Sequence, residues 1–150
     1  MDMMQEALAL FGKTPRPEHF TNYTHCSECA EHDETLRNET LSSLSYDHLR
    51  PGWDPLCFIS PEGFQYYFPA LVRLALKGTG ENYFIDQLLF HLELDGSKNS
   101  RYLMFTTEQR NYVVKLLKPL VETRAQEIEE NLDSGALFRA IDVWGGNNVA

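Results

Sequence analysis

The chain has 150 residues, 43% of them hydrophobic, which is the size of one ordinary domain able to bury a core without disulfides or a metal. Its 22 acidic against 13 basic residues give a net charge of −9 with histidines neutral, which excludes a sequence-independent grip on nucleic-acid phosphates and favours a basic protein partner. No apolar run approaches the roughly 20 residues of a membrane span, and the opening Met-Asp-Met-Met-Gln-Glu carries acids where an export signal carries Lys or Arg, so the expected location is cytoplasmic, away from membranes.

Met4, Ala7, Leu8 and Phe11 recur at helical spacing until Gly12, Pro15 and Pro17 end the pattern, which predicts a short first helix over 2–11. Residues 12–24 then read as an ordered loop, with Phe20 and Tyr23 as anchors onto a core.

The densest chemistry follows. His25 to Asp33, reading His-Cys-Ser-Glu-Cys-Ala-Glu-His-Asp, packs two cysteines, two histidines and three carboxylates into nine residues. Cys26, Cys29 and His32 are spaced CxxCxxH, and thiolate and imidazole are ligands that suit zinc. On a helix Cys26 and His32 fall about 120° apart, so this triplet needs a turn to share one ion. Two other sets do share a helical face: His25, Cys29 and His32, and Cys26, Cys29 and Asp33. A closed structural zinc site needs four protein ligands, and Cys57, His19, His48 and His91 are the candidates for the fourth. Three readings stay open: a metal centre, a redox-active CxxC pair, and cysteines that serve as small buried hydrophobes. An odd number of cysteines in a chain without an export signal fits thiols or a metal better than a disulfide framework.

From Ser27 to Leu44 the pattern predicts a helix, which puts the cysteines at its N-terminus. That position favours a thiolate, while Glu28, Glu31, Asp33 and Glu34 disfavour a further negative charge. Tyr46 to Ser60, with Pro51, Gly52 and Pro55 around Trp53, predicts a turn-rich connection that folds back to bring Cys57 beside Cys29. Ser60-Pro61-Glu62 is a helix start, and Phe64, Tyr67, Phe68, Leu71, Leu74 and Ala75 form its apolar stripe, with a bend expected at Pro69.

Residues 81–94 are apolar on most sides and predict a buried helix carrying His91 as a core histidine. Asp95 to Arg101 reads as a polar turn, and Tyr102 to Phe105 as a short strand or the approach to the next helix. Thr106 and Gln109 form a capping box for a helix reaching to about Asn131, kinked at Pro119, whose acid-rich end is expected to be a solvated face. A last helix over 134–144 ends on Gly145-Gly146, and 146–150 are expected to be a loose tail. The sum is an all-α, single-domain bundle of about six helices spanning 1–150, with at most one short strand pair.

Phe58-Ile59-Ser60-Pro61-Glu62-Gly63-Phe64, continuing to Phe68-Pro69-Ala70, together with Phe105-Thr106-Thr107-Glu108-Gln109-Arg110 and the Cys26 to Asp33 stretch, resembles a group of small bacterial proteins whose function is uncharacterised. The resemblance covers residues 20 to 120. It implies a bacterial helical domain and no catalytic assignment.

The chain has no GxxxxGK[ST] loop, no GxGxxG after a strand, no HExxH and no GxSxG elbow, so the common NTPase, dinucleotide, zincin and hydrolase readings drop out. A thioredoxin-like frame is also missing around the CxxC. The leading expectation is a non-catalytic, acidic binding protein, of immunity or antitoxin type, whose Cys/His cluster pins the N-terminal loop to the helical core through a structural zinc. The alternative is an enzyme, metal-dependent or thiol-based, that uses Cys26, Cys29 and His32, with Glu28 or Glu31 to activate water. A third reading is an acidic mimic of nucleic acid.

Overall fold

A computed structural model describes residues 2–131 and 135–146, and these are all-α, with one isolated antiparallel bridge, Thr21 to Ile59, among them. The expected loose tail beyond Gly146 lies outside the described residues. Among those described, no helix is long and apolar enough to cross a membrane. The chain divides into two compact units, Met1–Phe84 and Ile85–Ala150.

In the first unit, α1 (Met3–Phe11) starts on a reciprocal cap. The Asp2 carboxylate accepts from the Gln5 amide at 2.8 Å, and the Gln5 side chain accepts from the Asp2 amide at 3.0 Å. Helix α2 (Ser27–Asn38) carries the Cys/His stretch, and α3 (Pro61–Lys77) runs without a break through the buried Pro69. Ser60 caps α3 by accepting from the Gly63 amide, as the Ser-Pro-Glu start predicts. Phe11 meets Phe68 with ring centroids 4.9 Å apart, which seats α1 on α3. Gly63 is required by close approach, since a Cβ there would sit 2.9 Å from both Ile59 and Phe20.

Helix α2 stops at Asn38, six residues short of the periodic pattern. Glu39 is extended, and the carbonyls freed at the helix end are taken by side chains distant in sequence. Arg16 donates to the carbonyls of Arg37 at 2.9 Å and Glu39 at 3.0 Å, and the Tyr67 hydroxyl donates to those of Leu36 at 2.5 Å and Glu39 at 2.9 Å. Beyond that point Thr40 and Ser43 exchange side-chain and backbone hydrogen bonds, an alternative to the helical ladder. Short 3₁₀ turns over 46–57 make up the turn-rich connection.

In the second unit, α4 (Ile85–Glu93) carries His91 in its buried face. Of the Tyr102 to Phe105 run, Tyr102 to Met104 belong to a short helix, α5 (Ser100–Met104), and Phe105 is its extended C-cap. Asn99, 1% exposed, explains it: its amide donates to the carbonyls of His91 and Leu92 at the end of α4, while its oxygen accepts from the amides of Arg101 and Tyr102 at the start of α5. One side chain thus closes one helix and opens the next. Thr106 and Gln109 cap α6 (Thr107–Leu117) reciprocally, as predicted. The single kinked helix expected beyond them is instead three pieces: α6, α7 (Leu120–Thr123) and α8 (Ala125–Asn131). The break between α6 and α7 falls at Lys118 and Pro119, the latter having no amide to continue the ladder. In α9 (Gly135–Trp144) the Trp144 indole donates to the Leu92 carbonyl at 2.8 Å, and Gly146 has the left-handed φ of 74° expected of the stop.

Candidate metal centre

The loop before α2 is locked in place by a buried carboxylate. Asp33, on the inner face of α2, accepts from the amides of Phe20 at 2.6 Å and Thr21 at 3.2 Å through one oxygen, and pairs with His19 Nδ1 at 2.7 Å through the other. Burial alone would raise the Asp33 carboxyl, but the bonds from His19, Phe20 and Thr21 outweigh it and hold it below the usual carboxylate range. Thr21 returns the link by donating its hydroxyl to the Cys29 carbonyl at 2.7 Å, and Ser60 donates its amide to the Phe20 carbonyl at 2.7 Å. His25 and Cys26 are thereby delivered to the first turn of α2.

There, Cys26 is the N-cap, and its Sγ accepts from the Cys29 amide at 3.4 Å. The two sulfurs lie 3.3 Å apart, and Cys29 Sγ is 3.8 Å from His25 Nδ1. Ligand atoms of His25, Cys26 and Cys29 all fall within 4.8 Å of one another. The three cysteines form no disulfide. The Cys29 amide is the main cause that draws the Cys26 thiol down to about 7, with His25 and the Cys29 thiol adding to it. Cys29 moves the other way, pushed up by its bond with the Cys26 sulfur, by burial and by the charges of Cys26 and Glu28. One exposed thiol that ionises readily therefore sits against one buried thiol that resists ionisation.

The other residues singled out by sequence lie elsewhere. His32 is not a member of this group. It is fully buried, its ring between Trp53 at 4.3 Å and Phe58 at 4.8 Å, with Nε2 3.8 Å from the Glu28 carboxylate and neither ring nitrogen hydrogen-bonded. Cys57 is exposed, 3.9 Å from the Asp54 carboxylate. His19 Nδ1 is committed to Asp33, and His48 Nδ1 accepts from the Ser45 amide.

The setting of His32 has a thermodynamic consequence. Burial, only partly offset by Glu28, lowers its pKa, so the unfolded chain takes a proton more readily than the folded one. Stability is expected to fall as pH drops below the unfolded value of about 6.5. His32→Phe, which fills the aromatic slot without two unsatisfied nitrogens, should raise stability at neutral pH by about 1–3 kcal/mol and flatten that limb. Urea unfolding at neutral and mildly acidic pH measures both, and an unchanged pH slope in the variant would rule His32 out as its source.

No curated protein and no solved structure matches the chain. Residues 18–144 match the family model of DUF6714, a family of unknown function, a span that takes in α2 to α9 and the whole Cys/His site. With that much of its length covered, the chain belongs to this family.

Proposed function

We propose that this is a zinc-binding protein in which the cation, held by His25, Cys26 and Cys29, fastens the N-terminal loop to the first turn of α2. The supporting observation is the convergence of these three ligand atoms within 4.8 Å. Two thiols and an imidazole suit zinc better than they suit a hard cation such as magnesium or calcium. With zinc–sulfur bonds of about 2.3 Å, two sulfurs on a tetrahedral ion stand about 3.8 Å apart, so the pair must open by about half an ångström from its 3.3 Å. Titration of the reduced protein with zinc, followed by thermal unfolding with and without a chelator, tests the reading. One bound equivalent that raises Tm supports it; no binding, or binding that leaves Tm unmoved, overturns it.

The role we propose is non-catalytic, in an acidic protein whose charge of −9 recruits a basic protein partner. Association with that partner should weaken as salt rises, and salt-independent association would count against this part of the reading. A second reading, an enzyme, is favoured by one observation. The set supplies three protein ligands, which leaves a fourth zinc position for water, and the Glu28 carboxylate is near enough to act on the Cys29 thiol. An exchangeable water on the bound ion would distinguish it from a site closed by a fourth protein ligand.

A further inference from the structure

We propose that Cys26 and Cys29 form a reversible dithiol–disulfide couple that exchanges with small-molecule disulfides, Cys26 attacking and Cys29 resolving. This goes beyond metal binding and does not depend on it. It rests on geometry. The sulfurs are 3.3 Å apart, between the roughly 2.05 Å of a disulfide bond and the roughly 3.8 Å of a shared zinc. The proposal requires these two side chains, three residues apart, to close the remaining gap by rotating about their own torsions. Access is unequal: Cys26 is exposed at the N-cap, whereas Cys29 is 6% exposed beneath it. An incoming disulfide meets Cys26 first, and Cys29 is already in contact with the sulfur it must attack.

The chemistry balances in two steps. The Cys26 sulfur, having lost its proton to water, attacks one sulfur of R–S–S–R; that bond breaks, a Cys26–S–S–R bond forms, and RS⁻ leaves to be protonated by solvent. The Cys29 sulfur, likewise deprotonated, attacks the Cys26 sulfur and expels the second RS⁻. Two protein thiols are oxidised by two electrons, and one disulfide becomes two thiols. Excess RSH reverses the sequence. Metal and disulfide exclude one another, because a sulfur bonded to its neighbour is no longer a thiolate ligand.

The test uses the full chain with Cys57→Ser, reduced and stripped of metal with a chelator, and equilibrated in buffers of glutathione and glutathione disulfide. Acid quenching, alkylation of remaining thiols and mass spectrometry then locate the products. A Cys26–Cys29 disulfide that grows with the oxidised fraction is expected. Adding Cys29→Ser, or Cys29→Ala should serine prove disruptive in the core, should trap glutathione on Cys26. Adding Cys26→Ser instead, which keeps a good N-cap, should slow glutathione addition at Cys29 at least about tenfold relative to Cys26 in the trapping variant. Absence of the internal disulfide even in pure glutathione disulfide, or equal reaction of the two thiols, would overturn the proposal. A parallel sample with zinc separates the two ideas. Protection of the thiols by zinc supports both, whereas exchange that zinc leaves unaltered removes the metal reading and retains this one.

Discussion

Asp33→Ala is expected to destabilise the Met1–Phe84 unit by about 2–5 kcal/mol, the cost typical of leaving two buried amides without their acceptor. The carboxylate is 3% exposed and serves three donors: the Phe20 and Thr21 amides and His19. Alanine leaves both amides buried without an acceptor and frees the 18–21 segment from α2. Asp33→Asn separates shape from charge. One carboxylate oxygen takes both amides, so an asparagine with its oxygen in that place keeps them and presents its NH₂ to His19; its cost should be well below that of alanine. The pH dependence has a definite sign. Because the folded Asp33 carboxyl lies below its unfolded value of about 3.9, its contribution is fully present above that value and is lost as pH falls through the folded one. Urea unfolding of the three proteins from neutral pH into acid should show the acid limb shallower in Asp33→Asn than in the parent. Equal stabilities of parent and Asp33→Ala would mean that the lock contributes nothing.

Cys26→Ser, Cys29→Ser and His25→Ala should each weaken zinc binding by at least about 100-fold, more than the 10- to 100-fold typical of changing a group that only orients a ligand. His32→Phe and Cys57→Ser should leave the affinity at the parent value, because neither side chain belongs to the converging group. The contrast discriminates between the CxxCxxH spacing and the arrangement in the fold, since the spacing alone requires His32. At a free zinc concentration 100 times the parent Kd, the parent gains about 2.7 kcal/mol, and a variant weakened 100-fold gains about 0.4 kcal/mol, so thermal unfolding at one concentration reads the whole set. Affinity should also fall as pH drops below about 7, where protons compete with the cation for Cys26. Loss of binding in His32→Phe, with binding kept in His25→Ala, would replace the proposed ligand set with the one the spacing suggests.

Local rules carried much of the fold. Ser60 before α3 and Thr106 with Gln109 at α6 are caps written within four residues, and the structure has both. Two departures occur where a distant side chain decides. The pattern runs α2 on to Leu44, but Arg16 and Tyr67 take its terminal carbonyls at Asn38. Tyr102 to Phe105 is ambiguous by periodicity, and Asn99 makes Tyr102 to Met104 helical by bonding at once to α4 and α5. In the cluster, Cys26 and Cys29 are legible because three residues of chain hold them on one turn, whereas spacing leaves His25 and His32 both within reach of them. His32 has the right spacing and the wrong surroundings, since Trp53 and Phe58 enclose it.

By itself, then, the sequence determined the helical class, most helix starts and the pairing of two thiols at the head of α2, because each depends on interactions that span one or two turns. Only the tertiary structure decided which imidazole stands beside those thiols, that Asp33 acts as a lock for the preceding loop, and that one thiol is open to solvent while the other is covered. Those outcomes depend on which side chains the rest of the chain brings alongside, and the spacing of residues within a nine-residue stretch contains no information about that.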